Sequence, residues 1–515
     1  MRRLAFLLVL LAPGIALAAS PTAAEILAQS KAASGGALWD SVTSLQIKGK
    51  MMKGGLEGPA DKSVDMTTGH SVSHFQIGGY RGGEGYDGTT GWMQAPSGEI
   101  SAENSDAQKQ AEVTQAYILA RGYWFPDRWP AAINLLGTRS EGEDRFEVLQ
   151  ITPQGGDPFE LWINAETHLV DRTVVTTPAG QETRSYNEYL SVNGVQIPFH
   201  QWLRDDQNHY TIFQYDAASV NLPFNAKDFA MPQQNLNDYA FLGGGNQATM
   251  PFQLIHNRVY LGATVGSQPL QLQLDSAAVN VLTGEAAGRL GVKSAGSFPV
   301  SGPQGQPLDV SVAKIDSMTL GGDVTLSNQL FRVVQLPGIS DADGTRFDGF
   351  VGFELLKRFV VQVNYAYRKV TLILPGSFNA TDAGTPVPFT LTNGRIPTVS
   401  ATIDGISGPF AIDTGSTGMV NLEPAFVKTH DLLARYETTP QTTIGWGVGG
   451  AETGRAARAG NFAVGGVAMG APVILLDDAN VPADVGQAFA GVIGGALLRR
   501  FTLTFDYANQ RIYLK

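Results

Sequence analysis

An internal repeat in the second half of the chain limits its architecture more than any other feature. Short matching motifs occur in the same order in two copies. Their separation grows from 388 − 251 = 137 residues to 493 − 351 = 142 residues, a drift that small loop insertions explain. The pairs are 251–254 with 388–391, 258–259 with 395–396, 274–278 with 412–416, 351–352 with 493–494, 355–359 with 497–501 and 364–365 with 506–507. Such an ordered repeat predicts two similar structural units in tandem.

Each copy places one carboxylate directly after an apolar strand. Asp275 follows Leu274, and Asp413 follows Ile412. Each copy then continues with a strand, a helix, a glycine-rich segment and an apolar-apolar-Gly element. Two carboxylates a few Å apart cannot both ionise easily, so they share one proton. Such a pair can supply a general base and a general acid together, because one partner is ionised and the other is protonated.

Three motifs resemble those of aspartic peptidases of the retropepsin and pepsin type: Asp413-Thr414-Gly415-Ser416, Phe350-Val351-Gly352 and Val492-Ile493-Gly494. The resemblance covers about residues 251 to 515. It implies two β lobes that face each other across a pseudo-two-fold axis and give one Asp each. Both lobes lie in one chain, so we expect a monomer. It also implies an endopeptidase that acts on polypeptide substrates without a metal or organic cofactor.

The resemblance assigns roles to the residues of the two turns. Asp275 and Asp413 would form the catalytic dyad, and the hydroxyls of Ser276 and Thr414 would brace the two loops. At the fourth position of each motif, Ser416 can donate a hydrogen bond to its Asp, whereas Ala278 cannot. We therefore predict that Asp275 holds the shared proton more readily.

Ala277 departs from the family pattern, because it replaces the motif glycine that Gly415 supplies in the second copy. The alanine adds a methyl group where the two loops pack closest. It is tolerable at a negative φ and costly where only glycine fits. The alternative function is therefore a non-catalytic envelope protein with a degenerate protease fold, which binds peptide or lipid through one or both domains.

The glycine-rich segment 445–450 formally satisfies the dinucleotide pattern G-x-G-x-x-G. That pattern requires a strand before it and a helix opening within it, and residues 451–454 offer no apolar helical face. A flap over the cleft is the preferred hypothesis, with Trp446 over the substrate and Gly447 allowing the flap to bend. An ordinary surface turn is the alternative. The corresponding first-lobe segment, 301–307, is more polar.

The N-terminal region predicts an antiparallel sheet with a few helices between residues 45 and 230. A capping box at 22–25 begins a helix, and Asn193-Gly194 predicts a type I′ hairpin turn. The patterns at 85–92 and 157–163 resemble LolA-like lipoprotein carriers. That resemblance implies a half-barrel whose apolar concavity takes acyl chains or partners, so a lipid or lipoprotein is a candidate ligand. A structural or pro-region-like domain is the alternative.

The first residues predict export to the periplasm or secretion. Arg2 and Arg3 precede an apolar run at 4–12 and an A-x-A cleavage site at 16–18, which together are typical of a signal peptide. A membrane anchor is disfavoured because the run is far shorter than about 20 residues. A twin-arginine signal is a further alternative. No later segment predicts a membrane span.

Composition excludes several classes of function. The net charge of −11 argues against a nucleic-acid partner, and zero cysteines exclude disulfides, thiol nucleophiles and cysteine-based metal sites. His70 and His74 are four residues apart but lack the His-Glu pairing of a zinc protease. The acidic segments 341–344 and 477–478 lack EF-hand spacing, so both sets are interpreted as surface groups.

A mainly β fold with five segments is therefore predicted. The segments are a signal peptide (1–18), a LolA-like β domain (19–238), a linker (239–250), a first peptidase lobe (251–378) and a second peptidase lobe (379–515).

Overall fold

The computed structural model describes residues 21–515 except 79, 96, 104, 178–179, 207, 235, 302–306, 337–343, 448–449 and 478–488. The predicted signal peptide and most of the two acidic segments lie outside the described residues. The predicted mainly β class is confirmed: a curved N-terminal sheet with helices precedes two β lobes. Among the described residues, no helix has both the length and the apolarity needed to cross a bilayer.

The N-terminal domain is one antiparallel sheet of 13 strands, and its two α-helices share an apolar core with the sheet. The spatial order is β6-β5-β4-β3-β2-β1-β13-β12-β11-β10-β9-β8-β7. The helices are α1 (Ala23–Ala33) and α2 (Asp106–Leu119), and short 3₁₀ helices span Gly36–Ser41, Gly122–Trp124 and Ala226–Asp228. The strands are β1 (Ser44–Lys53), β2 (Leu56–Asp65), β3 (Ser71–Ile77), β4 (Tyr80–Tyr86), β5 (Gly91–Gln94), β6 (Ile100–Glu103), β7 (Ala131–Glu141), β8 (Asp144–Pro153), β9 (Phe159–Asn164), β10 (Val170–Thr177), β11 (Gly180–Val192), β12 (Val195–Asp205) and β13 (Tyr210–Val220).

Local sequence explains how these elements begin and turn. The Thr22 hydroxyl accepts a hydrogen bond from the Glu25 N–H at 3.3 Å, and the Glu25 carboxylate accepts one from the Thr22 N–H at 2.8 Å. This is the predicted capping box of α1. Asn193 (φ 49°) and Gly194 (φ 86°) form the predicted turn between β11 and β12.

The first lobe follows the N-terminal domain in the chain, and some of its strands belong to a sheet that both lobes share. The first-lobe elements are β14 (Tyr239–Phe241), β15 (Gln247–Pro251), β16 (Gln253–Ile255), β17 (Arg258–Val265), β18 (Gln268–Leu274), β19 (Val281–Thr283), α3 (Gly284–Leu290), β20 (Ser294–Ser301), β21 (Pro307–Leu320), β22 (Val324–Val334), β23 (Gly349–Val351), α4 (Phe353–Arg358), β24 (Val360–Asn364), β25 (Lys369–Ile373) and a 3₁₀ turn at Pro375–Ser377.

The second lobe repeats the plan. Its elements are β26 (Thr385–Pro388), β27 (Thr390–Thr392), β28 (Ile396–Ile403), β29 (Ile406–Asp413), β30 (Val420–Leu422), α5 (Pro424–Thr429), α6 (Leu432–Arg435), β31 (Thr442–Gly447), β32 (Gly450–Arg458), β33 (Phe462–Val464), β34 (Val467–Gly470), β35 (Val473–Leu476), β36 (Gly491–Gly494), α7 (Gly495–Leu498), β37 (Thr502–Asp506) and β38 (Arg511–Leu514). Both lobes contribute to a six-stranded sheet, β15-β25-β24-β37-β38-β26. One continuous apolar core runs through both lobes.

The segment predicted as a linker, residues 239–250, contains β14 and most of β15. Strand β14 pairs with β22, and β15 pairs with β25. The rings of Tyr239 and Phe241 pack edge-on against Phe359, with centroids 5.0 and 5.7 Å away. Burial of these aromatic rings explains why a glycine-containing segment is ordered at both ends.

Candidate active site

The two predicted carboxylates meet between the lobes. Asp275 follows β18, whose last residue pairs in parallel with Val351 of β23; Asp413 ends β29, where it pairs with Gly494 of β36. The two carboxyl groups share a hydrogen bond, and Asp275 is 8% exposed. The tandem repeat thus brings together two residues that are 413 − 275 = 138 positions apart.

The hydroxyls of Ser276 and Thr414 brace the two turns through four buried hydrogen bonds. The Ser276 N–H donates to Thr414 Oγ1 at 3.0 Å, and the Thr414 N–H donates to Ser276 Oγ at 3.1 Å. Each hydroxyl then donates to a carbonyl of the opposite lobe, Ser276 to Ile412 at 2.8 Å and Thr414 to Leu274 at 2.7 Å. This reciprocal arrangement fixes the turns relative to each other.

Backbone amides orient both carboxyl groups. The N–H groups of Ala277 and Ala278 donate to Asp275 Oδ1 at 2.9 and 3.0 Å, and the N–H of Gly415 donates to Asp413 Oδ1 at 2.7 Å. Ser416 adds a backbone hydrogen bond to the Asp413 carboxyl.

Burial raises the pKa of both carboxyl groups, but not equally. The pKa of Asp275 is raised well above its usual range by burial and then by the negative charge of Asp413. Burial also raises the pKa of Asp413, but the Gly415 amide, the hydrogen bond from Asp275 and the Arg258 charge oppose that rise. These surroundings favour Asp275 as the carboxyl group that holds the shared proton. Ser416 contributes its backbone amide to the Asp413 carboxyl, and the predicted contribution of its hydroxyl stays a prediction.

Arg258 is a site residue that sequence reasoning missed. Its Nε donates to the Gly415 carbonyl at 2.8 Å, from the first lobe to the second. The neighbouring Asn257 Nδ2 donates to the Thr417 carbonyl at 3.0 Å. The only sequence signal was that Arg258 has a counterpart, Arg395, in the repeat. Tyr507 was also missed: its hydroxyl donates to the Ser276 carbonyl at 3.5 Å.

Ala277 and Gly415 hold equivalent positions but meet different surroundings. Ala277 is not among the non-glycine residues with positive φ, so its backbone does not require glycine. A Cβ at Gly415 would lie 2.2 Å from Asp275 Oδ2. Space, rather than backbone angle, makes glycine necessary at 415. Gly352 and Gly494 are restricted in the same way, because a Cβ there would meet carbonyl oxygens at 2.2 and 2.5 Å.

The predicted flap residues lie in an antiparallel hairpin formed by β31 and β32. Trp446 pairs with Ala451, and Gly447 pairs with Gly450. Residues 448–449 lie outside the described residues. In the described parts, 442–447 and 450–458, the backbone is strand, so the helix of a dinucleotide fingerprint is not formed there. Contact of Trp446 with a substrate stays a prediction.

The described residues contain no cluster of three or more His, Asp and Glu side chains that could hold a metal ion. His70 instead packs edge-on against Phe229, and His74 lies 3.5 Å from Asp61.

A cavity lies in the N-terminal domain, between its sheet and the end of α2. It measures about 60 Å³. Apolar and tyrosine side chains line it together with three cationic ones, Lys62, Arg121 and Arg184, and the wall also includes Ile47, Val64, Ile118 and Tyr186.

Comparisons with known proteins identify no family. No protein-family model matches the sequence, and the search of curated proteins finds no match. This chain is similar to a LolA superfamily protein from Nitrosomonas europaea, at 15% identity and a TM-score of 0.30. The similarity covers 41% of this chain and 98% of that protein. Basic 7S globulin from soybean is similar over 52% of this chain and 94% of its own, at 13% identity and a TM-score of 0.32. A retropepsin-like aspartic protease from Rickettsia conorii is similar over 24% of this chain and 89% of its own, at 17% identity and a TM-score of 0.19.

Proposed function

We propose that this chain is an aspartic-type endopeptidase that hydrolyses peptide bonds with a water activated between Asp275 and Asp413. One observation carries the proposal: the buried carboxyl group of Asp275 and the partly buried one of Asp413 share a hydrogen bond between turns that are braced across the lobes. The unequal environments of the two groups support distinct acid and base roles.

The reaction follows from where the shared proton lies. Ionised Asp413 takes a proton from the bound water, and the resulting hydroxide attacks the peptide carbonyl carbon. Asp275 gives its proton to the carbonyl oxygen, which forms a neutral tetrahedral diol. Asp413 then passes its proton to the amide nitrogen as the C–N bond breaks, and Asp275 recovers a proton from the diol. The dyad returns to a single proton, and one water has been consumed.

Substitution of each carboxylate tests the proposal in the full-length chain. Asp275→Asn and Asp413→Asn should each lower kcat/KM by at least about 10³-fold, because a single carboxylate cannot serve as both acid and base. Cleavage of a peptide library between pH 3 and 8, read by mass spectrometry, measures this loss. Asp316→Asn is the matched control, since Asp316, on β21 of the first lobe, has 88% of its side chain exposed. Cleavage that survives in both dyad variants would refute the proposal.

The N-terminal cavity favours a second candidate function, the binding of a lipid or lipoprotein by an exported protein. Its apolar and aromatic lining suits an acyl chain, and Lys62 and Arg184 suit an anionic head group. A volume of about 60 Å³ holds a few waters only, so an acyl chain requires the wall to open at α2.

Extraction of the purified full-length protein tests this second function. We expect mass spectrometry to find lipid in the wild-type extract and several-fold less in Val64→Phe, which fills the cavity. Leu135→Phe, on the exposed strand β7, is the control. Lipid binding without peptide cleavage would favour the non-catalytic alternative over the peptidase.

A further inference from the structure

A buried arginine fastens the N-terminal domain to the first lobe. Arg358, at the end of α4, is 4% exposed. Its guanidinium donates to the carboxylate of Glu99 and to the Ser97 carbonyl, both in the N-terminal domain. It also donates to Asp238 through Nε at 2.9 Å and Nη2 at 2.5 Å. Glu99 is itself 2% exposed, so this ion cluster is shielded from water.

The same short helix reaches the loop that carries Asp275. Glu354, at the start of α4, is 8% exposed, and its Oε2 accepts the Asn280 N–H at 2.7 Å. Arg358 Nη1 donates to the Glu354 carbonyl at 2.7 Å. Asn280 Oδ1 accepts the Gly352 N–H at 3.4 Å, and the Phe353 N–H donates to Ala278 at 2.9 Å. Helix α4 therefore touches the ion cluster at one end and the 275–280 loop at the other.

The second lobe has a corresponding helix that lacks this buried ion cluster. Ala496 occupies the position of Glu354 in the repeat, and its N–H donates to the Gly418 carbonyl at 3.1 Å. Arg500 occupies the position of Arg358, but it lies exposed and donates to the Met469 carbonyl at 3.3 Å. The lobe architecture alone does not require a glutamate or a buried arginine here, so the charged arrangement is specific to the lobe that touches the N-terminal domain.

The pKa of Glu354 depends in part on a charged residue of the N-terminal domain, Glu99. Burial, and then the negative charge of Glu99, raise the pKa of Glu354 to about 7, and Arg358 opposes that rise. Arg395, from the second lobe, also faces Glu354. Glu354 is therefore largely neutral at mildly acid pH and ionises as the pH passes about 7.

We propose that Glu354 is a positioning residue for the Asp275 loop, held in place from the N-terminal domain through Arg358 and Glu99. Its carboxyl group accepts the Asn280 amide and so fixes the loop that presents Asp275 to substrate. This inference rests on the proposed peptidase function for its kinetic part only, because the order of the loop can be measured without catalysis.

Amide hydrogen exchange of the full-length protein tests the positioning role directly. Glu354→Ala leaves the buried Asn280 N–H without its acceptor, so exchange in the 275–280 segment should rise by about tenfold at pH 6. Glu354→Gln keeps an acceptor oxygen and should restore protection. Glu99→Ala, which removes the domain contact of Arg358, should also raise exchange in this segment. Arg500→Gln is the matched control and should leave it unchanged.

Kinetic pH profiles test the charge of Glu354. The wild-type profile of kcat/KM should contain an ionisation near pH 7, which Glu354→Gln should remove and Arg500→Gln should retain. Unchanged exchange in Glu354→Ala would overturn the positioning role, and unchanged exchange in Glu99→Ala would overturn its link to the N-terminal domain. A wild-type protein that cleaves no peptide would instead refute the peptidase function, while the exchange result would still decide the positioning role.

Discussion

Residue-scale geometry explains why the turns that follow Asp275 and Asp413 tolerate different residues. Ala277 points its amide at Asp275 Oδ1 from a backbone that any residue can adopt. Gly415 lies against the Asp275 carboxyl so closely that a Cβ would stand 2.2 Å from Oδ2. The departure from the glycine pattern therefore falls in the turn that can accept it.

Exchanging the two residue types tests this difference. Gly415→Ala should displace the Asp275 carboxyl and lower kcat/KM by about 100-fold, the usual cost of a misplacement near 1 Å. Ala277→Gly should leave kcat/KM close to the wild-type value and lower the free energy of unfolding by about 0.4–1 kcal/mol, through the greater freedom of the unfolded chain. Steady-state kinetics and thermal unfolding measure both effects. A large gain in kcat/KM for Ala277→Gly would show instead that the methyl group impairs the site.

Sequence alone identified the residues whose roles are local to the two turns. Asp275, Asp413, Ser276 and Thr414 follow strands in matching positions of a repeat, so their proximity could be predicted. Arg258 and Glu354 could not be found in this way. The Arg258 partner lies 157 residues away and the Glu354 partner 74 residues away, and only the paths of intervening strands bring them together.

At the scale of elements, composition alone did not predict the strands in the linker region. Residues 243–245 are three glycines, a composition typical of a flexible linker. The segment is nevertheless a strand at each end, because β22 and β25 offer free edges and Phe359 offers an aromatic surface. A flanking sequence does not show which sheet edges are free.

The hairpin of β20 and β21 contacts the N-terminal domain through residues of β20. The Ser297 N–H donates to the Gly54 carbonyl at 2.8 Å, and Phe298 packs with Met51 and Leu56. The equivalent hairpin in the second lobe, β31 and β32, follows the same chain order. The N-terminal domain thus contacts the first lobe both at this hairpin and at α4.

For the whole molecule, the sequence predicted the order of the domains but not how they are joined. A boundary near residue 238 follows from the start of the repeat and the glycine-rich stretch. The contact between Arg358 and Glu99 spans 259 residues and leaves no local pattern in either segment. Because the partners are buried, the N-terminal domain and the first lobe should unfold together.

Substitution of Arg358, and separately of its counterpart Arg500 in the repeat, tests whether the ion cluster joins the N-terminal domain to the first lobe. Arg358→Met leaves Glu99 and Asp238 without their cation in a buried cluster, so it should lower the free energy of unfolding by about 3–5 kcal/mol. Arg500→Met changes an exposed side chain and should change stability by about 0.5 kcal/mol or less.

Denaturant unfolding of the full-length chain, followed separately by signals from the N-terminal domain and the lobes, measures these changes. Adding Glu99→Gln to Arg358→Met should recover part of the loss, because the unpaired carboxylate is then removed. In Arg358→Met the two signals should also separate, whereas in the wild type they should coincide. Equal losses from the two arginine substitutions, with coincident signals in both, would show that the ion cluster does not join the domains.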